Sequence, residues 1–228
     1  MNEMAANTLL VLERDVAFYS KLAGPDRARF LEKVQRFVTT KEIRGERVDV
    51  DHRIRVLVAA AACRLSLNLV AEEYRRLANV EVFPTDIDRP DGAALGVAFR
   101  ASSVWLALDA LEGGLKNPSD GDNVGYHEFA HVLDASDGIL DGVPPLLVEP
   151  GLKRRWSQVM KSELSTLRDL HRAGGSALLP EEACEDEAEL FAYATEAFFE
   201  RPRAFRDSHG ELFELLTKFY RQDVLALE

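Results

Sequence analysis

The segment Asn123-Val-Gly-Tyr-His-Glu-Phe-Ala-His-Val-Leu-Asp134 holds two histidines four residues apart, with a glutamate directly after the first. Helical geometry puts positions i and i+4 on one face, one turn apart. His127 and His131 then present two imidazoles side by side, at the spacing that lets both reach a single zinc. Glu128 lies about 100° further round the helix, where it can address a metal-bound water rather than the metal. This is the H-E-x-x-H arrangement, with the Glu as general base of a zinc hydrolase. The surroundings favour a helix over two unrelated surface histidines. Asn123 is a good N-cap, and Val124, Phe129, Ala130, Val132 and Leu133 supply an apolar face to bury. Gly125 inside a helix costs about 1 kcal/mol against Ala, which predicts close packing at that point.

Composition narrows the function classes. At 228 residues, 46% hydrophobic and 29% charged, the chain reads as one globular domain, residues 1–228. A net charge of −11 argues against direct nucleic-acid binding and against an anionic membrane surface. The first twelve residues lack a basic n-region, and their apolar run stops at Glu13 and Arg14, so no secretory signal is expected. No uncharged stretch reaches the ~18 residues of a membrane helix. Cys63 and Cys184 are too few and too far apart for a disulfide framework or a cysteine zinc site. A reducing cytoplasm is the expected location.

Along the chain, Gly24-Pro25-Asp26 opens a helix with an apolar stripe at Phe30, Leu31, Val34, Phe37 and Val38. Asp51 caps a second helix, whose run from Val56 to Cys63 reads as buried on most sides. These form an N-terminal helical lobe over about residues 1–78, with the sheet and zinc site in about 79–228. Val80–Phe83 alternates like a strand. Gly96–Phe99 and Ser103–Leu108 read as two further strands in a hairpin, with Ser102–Leu108 placed to hold an extended peptide beside the metal. Gly113-Gly114 and Asn117–Gly121 read as a loop into the motif helix, and Asp134–Gly138 with Asp141–Pro145 as a loop walling the cleft. A long amphipathic helix through Trp156, Met160 and Leu167 ends near Gly174-Gly175.

A catalytic zinc takes three protein ligands and keeps a position for water. A metzincin-like continuation would put Asp134 where a glycine turn belongs and Asp137 at the third ligand, against the backbone demands of that turn. A Glu from a downstream helix is the other source. Residues 181–189 carry six carboxylates, and Glu189 begins an apolar helix from which it can point inward. Spacing alone leaves Glu187 and Asp186 open beside it. Glu196, seven residues on, shares its face and could brace a ligand. Asp134, three residues past His131, could orient an imidazole as an outer acceptor.

The motif followed by Asp141-Gly-Val-Pro144, then Asp186-Glu-Ala-Glu-Leu-Phe-Ala192 with Glu196, Phe198 and Phe199, resembles the Mlc titration factor A family, from Phe18 to Tyr220. The resemblance implies a bacterial cytosolic zinc peptidase of the gluzincin type, related in fold to the catalytic domain of anthrax lethal factor. It implies one Zn2+ held by His127, His131 and Glu189, with Glu128 catalytic. The implied fold is an α+β zincin-like domain with a small mixed or antiparallel sheet. The implied activity is aminopeptidase-like hydrolysis of short peptides. The alternative it implies is a regulatory protein that sequesters a transcriptional repressor, its peptidase weak or lost. Family members carry a Tyr about seven residues, two helical turns, before the ligand Glu. Here that neighbourhood is Pro180-Glu-Glu-Ala-Cys184, leaving Tyr126, Tyr193, His171 and His209 as possible substitutes.

Overall fold

Ile54 to Ser66 is almost wholly excluded from water, and the other elements are arranged about it. The computed structural model describes residues 3–69, 74–85, 102–145 and 150–227. Within them run helices α1 (Glu3–Asp15), α2 (Gly24–Thr40), α3 (His52–Ser66), α4 (Leu108–Lys116), α5 (Val124–Asp134), α6 (Pro150–Arg172), α7 (Glu187–Glu200), α8 (Pro202–Ser208) and α9 (Gly210–Tyr220). Three short strands, β1 (Glu42–Gly45), β2 (Asn79–Phe83) and β3 (Ser103–Ala107), complete the set. The architecture is mixed α and β, mostly helical. No helix among the described residues is long and apolar enough to cross a membrane.

Helix α3 forms where expected. The Asp51 carboxylate accepts from the Ile54 amide, a cap of about 1 kcal/mol. Its small side chains from Ala59 to Ala62 let neighbouring helices approach closely. Arg64 is buried at its C-terminal end, where it donates to Gln222 (2.6 Å) and lies over the rings of Phe18 and Phe199. That contact ties the end of the chain to the core.

The sheet corrects one expectation. Its order is β1-β2-β3 and both pairings are parallel, with Val80 opposite Val104 and Ile43 opposite Val80. It is therefore neither antiparallel nor mixed among the described residues. Parallel neighbours require a crossover of a dozen or more residues. Between β1 and β2 the chain supplies one through α3. The proposed hairpin partner, Gly96–Phe99, lies outside the described residues. Strand β1 was not foreseen, because Ile43 is its only buried side chain.

A second correction concerns Gly113 and Gly114, which belong to α4 rather than to a loop. A side chain at Gly114 would meet Asn123 at 2.8 Å, so the pair marks a close approach and not a turn. Gly125 shows the packing foreseen for it. A Cβ there would stand 2.7 Å from Ala61 and 2.9 Å from Leu111.

Candidate metal centre

Helix α5 carries the paired histidines and α7 lies against it. The Asn123 side chain accepts from the Tyr126 amide and begins α5. Asp186 does the same for α7, accepting from the amides of Ala188 and Glu189 (2.9 Å each). Eleven of the fourteen residues of α7 are buried, so its direction is set by packing on nearly every side. Phe191 meets Trp156 and Phe219, while Phe198 packs on Phe213 and Tyr220. Each such ring pair adds about 1 kcal/mol beyond the area it buries.

Through this apolar helix runs one polar stripe. Glu189, Tyr193, Glu196 and Glu200 follow one another at intervals of four, three and four, the repeat of a single helical face. All four turn to α5 or to the segment entering it. Glu189 reaches both imidazoles, 3.2 Å from His127 Nε2 and 3.3 Å from His131 Nε2. The two Nε2 atoms are 3.2 Å apart. Tyr193 sets its ring edge-on to His127, centroids 4.6 Å apart. Glu196 takes the other nitrogen of His127, Nδ1, at 2.9 Å, and also accepts from the Asn123 amide. Glu200 accepts from Asn123 Nδ2 (2.8 Å) and the Gly121 amide (2.9 Å).

These separations suit a cation. Three donor atoms at the corners of a tetrahedron with ligand distances near 2 Å would lie about 3.3 Å from one another. The atoms of His127, His131 and Glu189 have that spacing before any ion is considered, and among the described residues they are the group able to hold one. Glu196 engages Nδ1 of His127 and so leaves Nε2 as the ligating atom. The electrostatics agree. Burial opposes charge on His127, but its hydrogen bonds with Glu189 and Glu196 outweigh this and raise the imidazole to about 10. Burial lowers His131 instead. Glu189, although burial opposes its charge, is held well below the usual carboxylate range by the two histidines. The cluster stabilises positive charge at its centre.

Glu128 is half-buried beside this group, and its charge acts on both imidazoles. Glu196 braces a histidine as foreseen from spacing. Asp134 does not: its carboxylate accepts from the Gly142 amide (2.7 Å), while His131 Nδ1 has no hydrogen-bond partner. Asp137 is exposed and accepts from the Ile139 amide, apart from the histidines. Of the four substitutes for the absent Tyr, only Tyr193 meets the site. Tyr126 is buried beside Arg64, His171 faces the Leu179 carbonyl, and His209 pairs with Glu163. Tyr193 and Glu200 had a readable signal, the period of the stripe. A separate cavity of about 440 Å³, among whose walls are Phe37, Cys63 and Tyr74, contains none of these residues.

A family model described as glucose-regulated metallo-peptidase M90 matches residues 2–221. The chain belongs to that family. Its M90 relatives include an uncharacterized protein of Synechocystis sp., 31% identical over 92% of this chain and 82% of that protein. Mlc titration factor A of Salmonella arizonae is 26% identical over 89% of this chain and 86% of its own length. The protein of the same name from Pectobacterium atrosepticum is 36% identical over 46% of this chain and 40% of its own length. The resemblance drawn from the D-G-V-P and A-E-x-F-A segments thus extends to the family as a whole.

In this M90 chain the D-G-V-P loop fixes the start of α7. Gly142 has φ +70, and a side chain there would collide with the Glu187 carbonyl. Its amide is held by Asp134 and its carbonyl by Trp156 Nε1 (2.6 Å). Gly142→Ala is therefore expected to lower stability by about 2–4 kcal/mol, from a left-handed backbone and a backbone clash together. Chemical denaturation checks this, and a cost under about 0.5 kcal/mol would show that the loop can move away from α7.

The carboxyl at the far end of the stripe makes stability depend on pH. Burial, the largest influence, raises Glu200 to about 8, whereas an unfolded Glu ionises near 4.3. Between those values the folded chain holds a proton that the unfolded chain has lost. Stability contributed by Glu200 is thus full below about pH 4 and gone above about pH 8. The fall approaches about 1.4 kcal/mol per pH unit within the window. Glu200→Gln is expected to flatten the stability profile by up to that slope between pH 5 and 7, measured by urea unfolding. Unchanged slopes would mean that Glu200 is ionised in the fold.

Proposed function

We propose that this chain is a zinc-dependent peptidase, aminopeptidase-like and acting on short peptides, with one ion held by His127, His131 and Glu189. The observation carrying the proposal is the mutual spacing of the three donor atoms, 3.2–3.3 Å. Bound there, zinc would supply Lewis-acid charge and bring the pKa of a water to about 7. Glu128 is the base: it takes a proton from the attacking water and returns it to the leaving amine. Glu196 keeps the His127 ring in its ligating orientation. Strand β3 is last in the order of described strands and packs beside α5, which suits it to align an extended peptide through backbone hydrogen bonds. Residues 1–228 make one zincin-like domain of gluzincin type in this reading, and free Cys63 and Cys184 suit a reducing cytoplasm.

The test is metal analysis of the purified protein alongside hydrolysis of aminoacyl-nitroanilides, with and without a chelator. About one zinc per chain and chelator-sensitive turnover are expected; turnover indifferent to the chelator would sink the reading.

A second reading has its own support in the relatives named Mlc titration factor A. In it the chain binds a transcriptional regulator, and its hydrolytic capacity is incidental. Binding of Mlc that persists in a Glu128→Gln variant, with no peptide hydrolysis in the parent, would favour this second reading. The retained carboxylate at position 128 favours the first, since binding alone has no use for a base beside the metal ligands.

A further inference from the structure

Tyr193 sits one helical turn beyond Glu189 and one turn before Glu196. Its neighbours Ala192 and Ala194 are fully buried, but Tyr193 itself is partly exposed, on the side of α7 that faces the histidines. The ring rests edge-on against His127. Its hydroxyl has no hydrogen-bond partner among the described residues. A half-exposed phenol fixed by a ring contact, with an unused donor, stands beside groups of the opposite character. Glu128, Glu189 and Glu196 are carboxylates that, when ionised, only accept.

Peptide hydrolysis moves an electron pair onto the carbonyl oxygen as water adds to the carbon, and a donor aimed at that oxygen is worth most when the charge has developed. We propose that Tyr193 is this donor: its O–H hydrogen-bonds to the scissile carbonyl oxygen as water adds. The inference rests on the peptidase reading above. Tyr193 keeps its proton throughout. As the water oxygen bonds to carbon, Glu128 takes a water proton and the carbonyl pair moves to oxygen under the Tyr193 hydrogen bond. As the pair returns and the C–N bond breaks, Glu128 delivers the proton to the leaving nitrogen. The products are a carboxylic acid and an amine, with one water consumed. Burial first, then the charges of Glu196, Glu182, Glu189 and Glu185, raise the phenol to about 12. It is accordingly a donor throughout the neutral range.

Tyr193→Phe retains the ring contact and removes only the hydroxyl. With the zinc-loaded protein, the variant is expected to keep its metal and melting temperature. It should lose about 100-fold in kcat with KM changed by less than about threefold. Its affinity for a phosphinic peptide, whose tetrahedral anion mimics the charged oxygen, should fall by a comparable factor in calorimetry. The two measurements separate the possible failures. If the parent hydrolyses peptides and Tyr193→Phe alters neither kcat nor phosphinate affinity, the tyrosine has no such role and the peptidase reading stands. If the parent hydrolyses nothing but phosphinate affinity still depends on the hydroxyl, the donor is upheld and the peptidase reading fails. A parent that neither turns over peptides nor binds phosphinate overturns both. Loss of zinc in Tyr193→Phe would make the residue a support for His127 and overturn the donor role.

Discussion

Glu128→Gln is expected to keep its zinc and its fold and to lose peptide hydrolysis by on the order of 10³-fold, within the range general acid–base catalysis contributes. The reason lies in the division of labour on α5. His127 and His131 turn their Nε2 atoms to Glu189, whereas Glu128 lies beside them and touches the cluster through its charge. Replacing that carboxylate by an amide changes little in volume and leaves the three converging atoms in place. The amide cannot accept the proton of an attacking water, so both proton transfers assigned to position 128 are lost together. The loss should fall on kcat, since the group acts on the transition state more than on substrate binding. Metal analysis and hydrolysis assays on the same preparation check it. Near-normal turnover with full zinc would remove Glu128 from the mechanism, and loss of zinc would make it a ligand or a support for one.

Much of the site was legible because helices repeat on a short period. A pair at i and i+4 and a brace seven residues from Glu189 are local facts of spacing, and the structure brings His127, His131, Glu189 and Glu196 together. The same period extends to Tyr193 and Glu200. Glu200 was passed over because a carboxylate next to Arg201-Pro202 reads as a solvated helix end, and only tertiary packing covers it. Asp134 shows the opposite limit. Its position three residues past His131 suggested an imidazole partner, but a loop eight residues downstream returns and offers the Gly142 amide instead. The sheet was less legible for a related reason. Alternation identifies a strand such as β2 but says nothing of which strand lies beside it or in which direction. Glu42-Ile-Arg-Gly45, with a single apolar side chain, barely alternates at all.

Glu189→Ala and Asp137→Ala should part completely. In Glu189→Ala, two imidazoles remain without the carboxylate that both face, and a three-ligand site becomes a two-ligand one. Loss of outer partners alone costs metal affinity about 10- to 100-fold, so loss of a direct ligand is expected to exceed about 100-fold. Mild dialysis should then strip the variant of zinc and of activity. It should also lose the stability that zinc lends the parent, about 2.7 kcal/mol when free zinc is a hundred times its dissociation constant. Asp137 offers a contrast at close range in sequence. It is exposed in the short turn after α5, its carboxylate bonded to the Ile139 amide, and it belongs to no group of convergent donors. Its removal should leave zinc and hydrolysis unchanged and cost no more than about 0.5 kcal/mol. Bound zinc, turnover and unfolding midpoints measured side by side decide the matter. Zinc retained in Glu189→Ala and lost in Asp137→Ala would place the third ligand after α5. The polar stripe of α7 would then have to be read as packing, since the one carboxylate that reaches both histidines would be holding nothing.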